Sequence, residues 1–345
     1  MASHTGKAWG ILLCALLVPF LSYAQVSLTG LERPLDLAMT PEYPAGGDTV
    51  TFTVSSYGVD LDRSAIVWYA NGKEIARGNG LTTTTVAAGK LGTATEITVI
   101  AEEQDGLIGS TQATIRPTEV DLLWEADSYS PPYFRGRTLA GTNATIRAQA
   151  IVRFVRPDGN AIPEGDIIYS WYKGTKRIAS GRGKSSITAP GPTLFGTDTF
   201  SVTAESVDGL YHGRASARID NVDSTIELYE NHPLFGVLYH RALIGSATTL
   251  ETELKVTAVP YFAHIIAPHE TSLAYEWALD STALAADPDH PETFTITTNN
   301  YTGPVTVELS LTSVADLFLK ATGTWEIVFG ESGSFFGNDL FGRPQ

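Results

Sequence analysis

The sequence predicts an all-β protein built from three β-sandwich domains in tandem, and three observations predict it. First, an apolar stretch with a central tryptophan recurs along the 345 residues, as Ile66-Val67-Trp68-Tyr69-Ala70-Asn71-Gly72-Lys73, as Ile168-Tyr169-Ser170-Trp171-Tyr172-Lys173-Gly174, and more faintly from Leu273 through Trp277 to Leu279. Second, the offset that carries Trp68 to Trp171 also carries Ile75 to Ile178, Gly78 to Gly181, Gly80 to Gly183 and Val99 to Val202. It carries Asp105-Gly106-Leu107 to Asp208-Gly209-Leu210 as well, so the repeat is internal rather than a chance motif. Third, apolar and polar residues alternate strictly in stretches such as Thr49 to Ser55, where Val50, Phe52 and Val54 share one face. That period of two belongs to a half-buried strand. The length suits two or three domains, each able to bury its own core.

Taken in order, a first strand is expected from Pro34 to Met39, stopped by Pro41 and Pro44, with a turn at Gly46-Gly47. The Thr49 strand and the Trp68 strand follow, and Asn71-Gly72 is the dipeptide of a tight hairpin into Lys73 to Arg77. Thr95 to Glu102 is the next strand, with Ile97, Val99 and Ala101 facing inward, and Asp105-Gly106 turns into a last strand ending near Ile115. The second domain repeats this order, with Thr145 to Val155 ahead of its tryptophan strand and Ile146, Ala148, Ala150 and Val152 on one face. The third is more diverged. Leu254, Val256 and Ala258 precede Trp277, Val305 to Leu311 forms the later core strand, Val314 to Leu317 replaces the Asp-Gly turn, and a longer Asp/Pro-rich connection runs from Asp280 to Pro291.

About seven short strands with one tryptophan on the third describe an immunoglobulin-like sandwich. An indole is one of the few side chains able to reach across a core about 10 Å thick. The boundaries read as 1–24 for a leader, 25–117, 118–222 and 223–330 for the domains, and 331–345 for a Phe/Gly-rich tail. The paired tryptophan motifs and the late Asp-Gly hairpin resemble bacterial tandem Ig-like and PKD-like surface-module proteins. The arrangement also looks like exported proteins of small-genome candidate-phyla bacteria. The resemblance spans nearly the whole mature chain and implies a surface location; its motifs are structural and transfer no functional residue. Unlike PKD modules, this chain lacks an Asp-Gly-rich turn directly after the tryptophan.

His4 and Lys7 precede an apolar run from Ile11 to Leu21, and Ser22-Tyr23-Ala24 supplies small residues where a signal peptidase needs them. Cleavage before Gln25 is expected, giving an exported protein; the run is short for a membrane anchor, which needs about 20 residues. Cys14 lies inside this run, so the mature chain has no cysteine and relies on packing instead of disulfides. It keeps 22 basic against 38 acidic residues, a formal charge of −16. Such a surface repels nucleic acid and anionic membrane, which argues against both as partners.

No catalytic constellation is evident, and an enzyme is not expected. Gly181-Arg182-Gly183-Lys184-Ser185 has Ile178 where a phosphate loop needs glycine, and Gly78-Asn79-Gly80 at the repeat position has no lysine, so both are turns. Gly330-Glu331-Ser332-Gly333-Ser334 misses a serine-hydrolase elbow by its final glycine. The histidines show no zinc spacing, with His264 and His269 expected in an exposed loop. No cofactor is expected; a structural calcium ion near Asp60 and Asp62, or at Glu125 and Glu230, would need about six to eight oxygens, of which only pairs can be named.

Function is better sought where the domains differ. Domains two and three open with matching strands, Val120 to Glu125 and Thr225 to Glu230, and then carry insertions absent from domain one. One insertion holds Tyr133, Phe134 and Arg135; the other holds Phe235, Tyr239 and Arg241. Two readings stand: an exposed patch for a partner, since Tyr and Arg dominate binding hot spots, or packing against the preceding domain that stiffens the joint, which is the favoured one. In the tail, Phe335, Phe336 and Phe341 are expected to dock on domain three or on a partner. The expected function is therefore a non-enzymatic structural or interaction protein of the cell envelope, with a surface protein or a glycan as partner. The alternative is a carbohydrate-binding or enzyme-accessory set using exposed aromatics such as Tyr69, Tyr172 and Tyr211.

Overall fold

The computed structural model describes residues 35–330, apart from 59, 104–105 and 298–300, and gives no side-chain detail for 103 and 106–108. The leader, and the tail with Phe335, Phe336 and Phe341, lie outside the described residues. The fold is all-β: three immunoglobulin-like sandwiches in tandem, with one short 3-10 turn at Glu164–Asp166 among the described residues. Among those residues no helix is long and apolar enough to cross a membrane.

Domain one holds β1 (Asp36–Thr40), β2 (Thr49–Ser55), β3 (Ala65–Ala70), β4 (Lys73–Asn79), β5 (Thr83–Ala87), β6 (Thr95–Glu103) and β7 (Gly106–Ile115). A three-stranded sheet β1-β2-β5 faces a four-stranded sheet β4-β3-β6-β7. Domain two repeats this with β8 (Glu119–Ala126), β9 (Thr145–Arg153), β10 (Ile167–Lys173), β11 (Lys176–Arg182), β12 (Ser186–Pro190), β13 (Thr197–Ser206) and β14 (His212–Asp220), ordered β12-β9-β8 and β11-β10-β13-β14. The order is the same strand for strand, which is what the sequence offset requires.

Each core is pinned alike. Val50, Phe52 and Val54 of β2 are buried as their alternation predicts, and so are Ile97, Val99 and Ala101 of β6. Trp68, Trp171 and Trp277 are buried, and their Nε1–H groups donate to Leu81 O, Lys184 O and Pro291 O at 2.8, 2.8 and 2.9 Å. The indole thus fills the space between the sheets and ties the strand to the loop behind it. Each indole N–H, buried with its ring, thereby finds an acceptor. Gly80 and Gly183, at φ +66° and +67°, make the turns that bring those loops back. They are turns, as the repeat comparison indicated.

Domain three departs more than its sequence suggested. It contains β15 (Thr225–His232), β16 (Gly236–Leu243), β17 (Ser246–Thr249), β18 (Glu253–Tyr261), β19 (Leu273–Leu279), β20 (Thr282–Leu284), β21 (Thr293–Thr297), β22 (Gly303–Ser313) and β23 (Lys320–Phe329). The sheets run β16-β15-β18-β21 and β17-β23-β22-β19-β20, and β17 pairs parallel with β23. The expected insertion at 232–241 is therefore not a loop: most of it is β16, an added edge strand. The turn after Trp277 is also tighter than expected, because Asp280 and Ser281 take positive φ as Asn71 and Gly72 do. Asp280 Oδ1 accepts from Thr306 N at 2.9 Å just as Asn71 Oδ1 accepts from Glu96 N at 2.9 Å. The extra length comes after β20.

Connections between domains are short, with Ile115 to Glu119 at the first and Asp220 to Thr225 at the second. At the first, Thr118 N donates to Pro44 O at 3.0 Å and Thr118 Oγ1 to His212 O at 2.7 Å. The residue between two sandwiches is thereby bonded to both.

Candidate functional site

The connection from β8 to β9, residues 127–144, decides what happens between domains two and three. It reaches forward onto domain three, so for the first insertion the expected packing on the preceding domain is overturned, whereas the second insertion does face the preceding domain, with Phe235 and Tyr239 opposite Tyr133 and Arg135. Tyr129 N donates to Ala263 O at 2.7 Å and Phe262 N donates to Tyr129 O at 2.8 Å, a reciprocal backbone pair between two domains. Ser128 Oγ accepts from Gly141 N at 3.1 Å, holding the two ends of the connection together where they face Phe262. A Cβ on Gly141 would collide with Phe262 O, so this close approach requires glycine. Beyond the backbone pair, Phe134 sits edge-on to Tyr261 and Phe262, with ring centroids 5.8 and 6.0 Å away. Asn143 Nδ2 donates to Asp316 Oδ2 at 3.1 Å, and His264 Nδ1 lies 3.5 Å from Asp127.

This docking brings the two insertions together. Tyr133, Arg135, Phe235 and Tyr239 line one cleft of about 510 Å³ with Val237, Leu238 and His240. Tyr133 is 90% exposed and Phe235 is 76% exposed, Tyr133 being turned outward by a positive φ of 68°. Phe235 stacks on His232 at 4.7 Å, which fixes the direction of the β15–β16 turn. The other two candidates go elsewhere. Phe134 is spent on the joint, and Arg241 pairs with Glu230 at 3.3 Å instead of entering the cleft.

A second cleft of about 550 Å³ shares Val237 and Tyr239 with the first, so the two are neighbours along β16. Its wall is Tyr129 from domain two, and its domain-three side includes Asn231, Lys255, Thr257, His269, His290 and Glu292. Asn231 Nδ2 donates to Thr257 Oγ1 at 3.1 Å. Glu292 Oε1 lies 3.5 Å from His290 Nδ1, while Glu292 Oε2 is buried without a protein donor. An unmet acceptor of this kind costs about 1–3 kcal/mol or more. Burial pushes the Tyr129 phenol up to about 12, and the Tyr239 phenol is raised by burial and by the neighbouring Tyr229. Both hydroxyls therefore stay protonated, able to donate, at ordinary pH.

Sequence reasoning missed Tyr129, Lys255, His269, His290 and Glu292 as members of one site. They come from four separate stretches, three brought together by the fold of domain three and the fourth, Tyr129, added by the docking of domain two, and none carries a spacing signal. The alternative aromatic face fares worse. Tyr211 is buried and stacks on Phe154 at 6.0 Å, while Tyr69 and Tyr172 are half-buried. Tyr211, expected exposed, folds its ring into the core of domain two. A further cleft, about 620 Å³, is lined by residues of β8, β9 and β12 with Lys184, and contains none of the expected aromatic or arginine candidates. Among the described residues no group of three His, Cys, Asp or Glu side chains is placed to hold a metal ion, and Asp60 pairs with Arg63 at 3.4 Å.

No protein-family model matches this chain, and no curated protein matches it. Solved structures similar to it are themselves arrays of such domains. Three N-terminal domains of the bacteriophage RB49 highly immunogenic outer capsid protein are 18% identical, covering 87% of this chain and 99% of that one, with a TM-score of 0.23. The central fibronectin-III array of RIM-binding protein is 13% identical over 87% of this chain and 98% of that one, with a TM-score of 0.31. A Bacteroides ovatus protein of a mixed-linkage glucan utilization locus, solved with a heptasaccharide, is 11% identical over 86% of this chain and 70% of that one, with a TM-score of 0.24. At these scores the fold rests on the strand order and the pinned cores above, and no partner is inferred from the likenesses.

Proposed function

We propose that this chain is an exported, non-enzymatic interaction protein of the cell envelope, in which domains 25–117, 118–222 and 223–330 follow a cleaved leader. Its partner, a surface protein or a glycan, is met at the cleft between domains two and three. The observation that carries this reading is the convergence of two sequence-distant insertions on one exposed cleft, with Tyr133, Arg135, Phe235 and Tyr239 in its wall. Large exposed aromatics are costly to leave in water and usually mark contact surfaces. The reciprocal backbone pair at Tyr129 keeps the cleft formed, so a partner need not organise it.

The test is co-sedimentation of the purified full chain with isolated cell envelopes. Wild type should pellet with them, and the double substitution Tyr133→Ala with Phe235→Ala should stay largely in the supernatant. Equal pelleting of the two proteins would sink the assignment of this cleft.

A further inference from the structure

The geometry points to an acidic oligosaccharide, a sugar chain carrying carboxylates or sulfates, as the ligand of the two neighbouring clefts; this rests on the cleft being the binding face. Shape comes first. Two hollows of about 510 and 550 Å³, both lined by Val237 and Tyr239, are the size of small-molecule sites. Side by side along β16, they suit an elongated ligand of several rings better than a single compact one.

Charge comes second. The chain carries a formal −15, yet the fixed charges lining the clefts are Arg135 and Lys255 against Glu292 alone. The nearby Glu230 is already neutralised by Arg241. A locally positive hollow on a strongly negative protein selects an anion and steers it there.

Hydrogen bonding comes third. Glu292 lines the second cleft with a carboxylate, which accepts, and Tyr129 and Tyr239 line it with hydroxyls, which can donate, so a ligand that both donates and accepts is matched. A simple inorganic anion accepts only; an acidic sugar brings hydroxyls for Glu292 and an anionic group for Arg135 or Lys255. The exposed rings of Tyr133 and Phe235 stand at the mouth, where the apolar face of a sugar ring can lie against them.

The experiment is titration calorimetry of the full mature chain with three probes: a short oligogalacturonate, a sulfated heparin-derived oligosaccharide, and neutral oligogalactose. One acidic probe should bind at least about tenfold tighter than the neutral one, and which of the two does so names the anionic group. Raising NaCl from about 0.05 M to about 0.5 M should weaken binding severalfold. Arg135→Gln and Lys255→Gln, both exposed positions, should each weaken it about tenfold with the circular dichroism spectrum unchanged. Neutral probe binding as tightly as the acidic ones would overturn the inference, as would acidic binding that ignores both substitutions. If no probe binds while envelope sedimentation still depends on Tyr133 and Phe235, the acidic sugar is wrong and the interaction role stands. If that dependence is absent too, both are wrong.

Discussion

Replacing Gly141 by alanine tests whether domains two and three move as one. Gly141 does not have a positive φ, so alanine meets no backbone strain there; the obstacle is steric, because its Cβ would overlap Phe262 O. Relief requires Phe262 to withdraw, and Phe262 belongs to the next domain. What is lost can be estimated from the contacts. The two backbone bonds at Tyr129 contribute about 0.5–1.5 kcal/mol each, and the two edge-on ring pairs of Phe134 about 0.5–1.5 kcal/mol each. The exposed Asn143–Asp316 bond adds little. The joint is therefore worth about 2–6 kcal/mol before any entropic offset. Hydrogen exchange reads this directly, since the Tyr129 and Phe262 amides are protected only while the joint is closed. In Gly141→Ala their protection should fall at least about thirtyfold, the lower bound converted at about 1.4 kcal/mol per decade. The amides of β9 and β18 should keep theirs, because neither core is touched. Unchanged protection at Tyr129 and Phe262 would mean that the domains are not held by this pair, and the preformed cleft would lose its support.

Other consequences follow from the cores and the edges. Trp171→Phe removes the Nε1 donor to Lys184 O and part of the ring filling the second core. Urea denaturation should show a loss of about 2–4 kcal/mol, and a change under about 0.5 kcal/mol would contradict its role as a pin. Tyr133→Ala, at an exposed site, should alter stability by no more than about 0.5 kcal/mol while abolishing envelope binding. Burial on β15 raises the Glu227 carboxyl above its ordinary value. The folded state thus binds that proton more tightly than the unfolded state does. Glu227 therefore costs stability as the pH rises through its folded pKa, and costs nothing below the unfolded carboxylate range. Glu227→Gln should raise the denaturation midpoint near neutral pH and leave it unchanged at about pH 3; the opposite pattern would show that the carboxylate is stabilised by a partner.

The regular parts of the fold were legible because each signal in them is local. The alternation of Val50, Phe52 and Val54 reports one buried face, and Asn71-Gly72 reports the turn that follows the tryptophan. The repeat then carried the second domain on the evidence of the first. Domain three was misjudged where β16 folds straight back on β15 as an added edge and where β17 pairs with β23 far along the chain, since nothing in Gly236–Leu243 alone distinguishes an edge strand from a loop. The candidate site was half legible. Aromatics bunched at Tyr133 and Phe235 are visible as composition, but the polar wall is not. Lys255, His269 and Glu292 lie far apart in the sequence, and only the fold of domain three, with Tyr129 of another domain beside it, puts them in one lining. The direction in which the first insertion packs was unreadable for the same reason: its partner, the Tyr261-Phe262 pair, has no mark of its own.

The placement of the cleft follows from how the domains differ. All three sandwiches share the tryptophan pin, so none of them owes its function to its core. Domain three has taken on an edge strand, β16, on the sheet that carries β15 and β18. β16 is also irregular: its register against β15 slips between Tyr229 and Asn231, with Ala242 opposite Tyr229 and Val237 opposite Asn231. A slipped edge is a poor template for a further strand and so resists sheet-to-sheet aggregation. The same slip frees Leu238, Tyr239 and His240 from strand pairing and leaves them facing the hollow beneath Tyr133. One irregularity thus both blunts the edge and builds a wall of the cleft. The joint completes it, because Tyr129 and Arg135 reach the hollow only while Phe262 is bonded to domain two. A ligand held by both walls must then favour the closed joint by its own binding free energy. Occupancy should therefore raise the protection of the Tyr129 and Phe262 amides further, and an acidic sugar that binds without doing so would be contacting domain three alone.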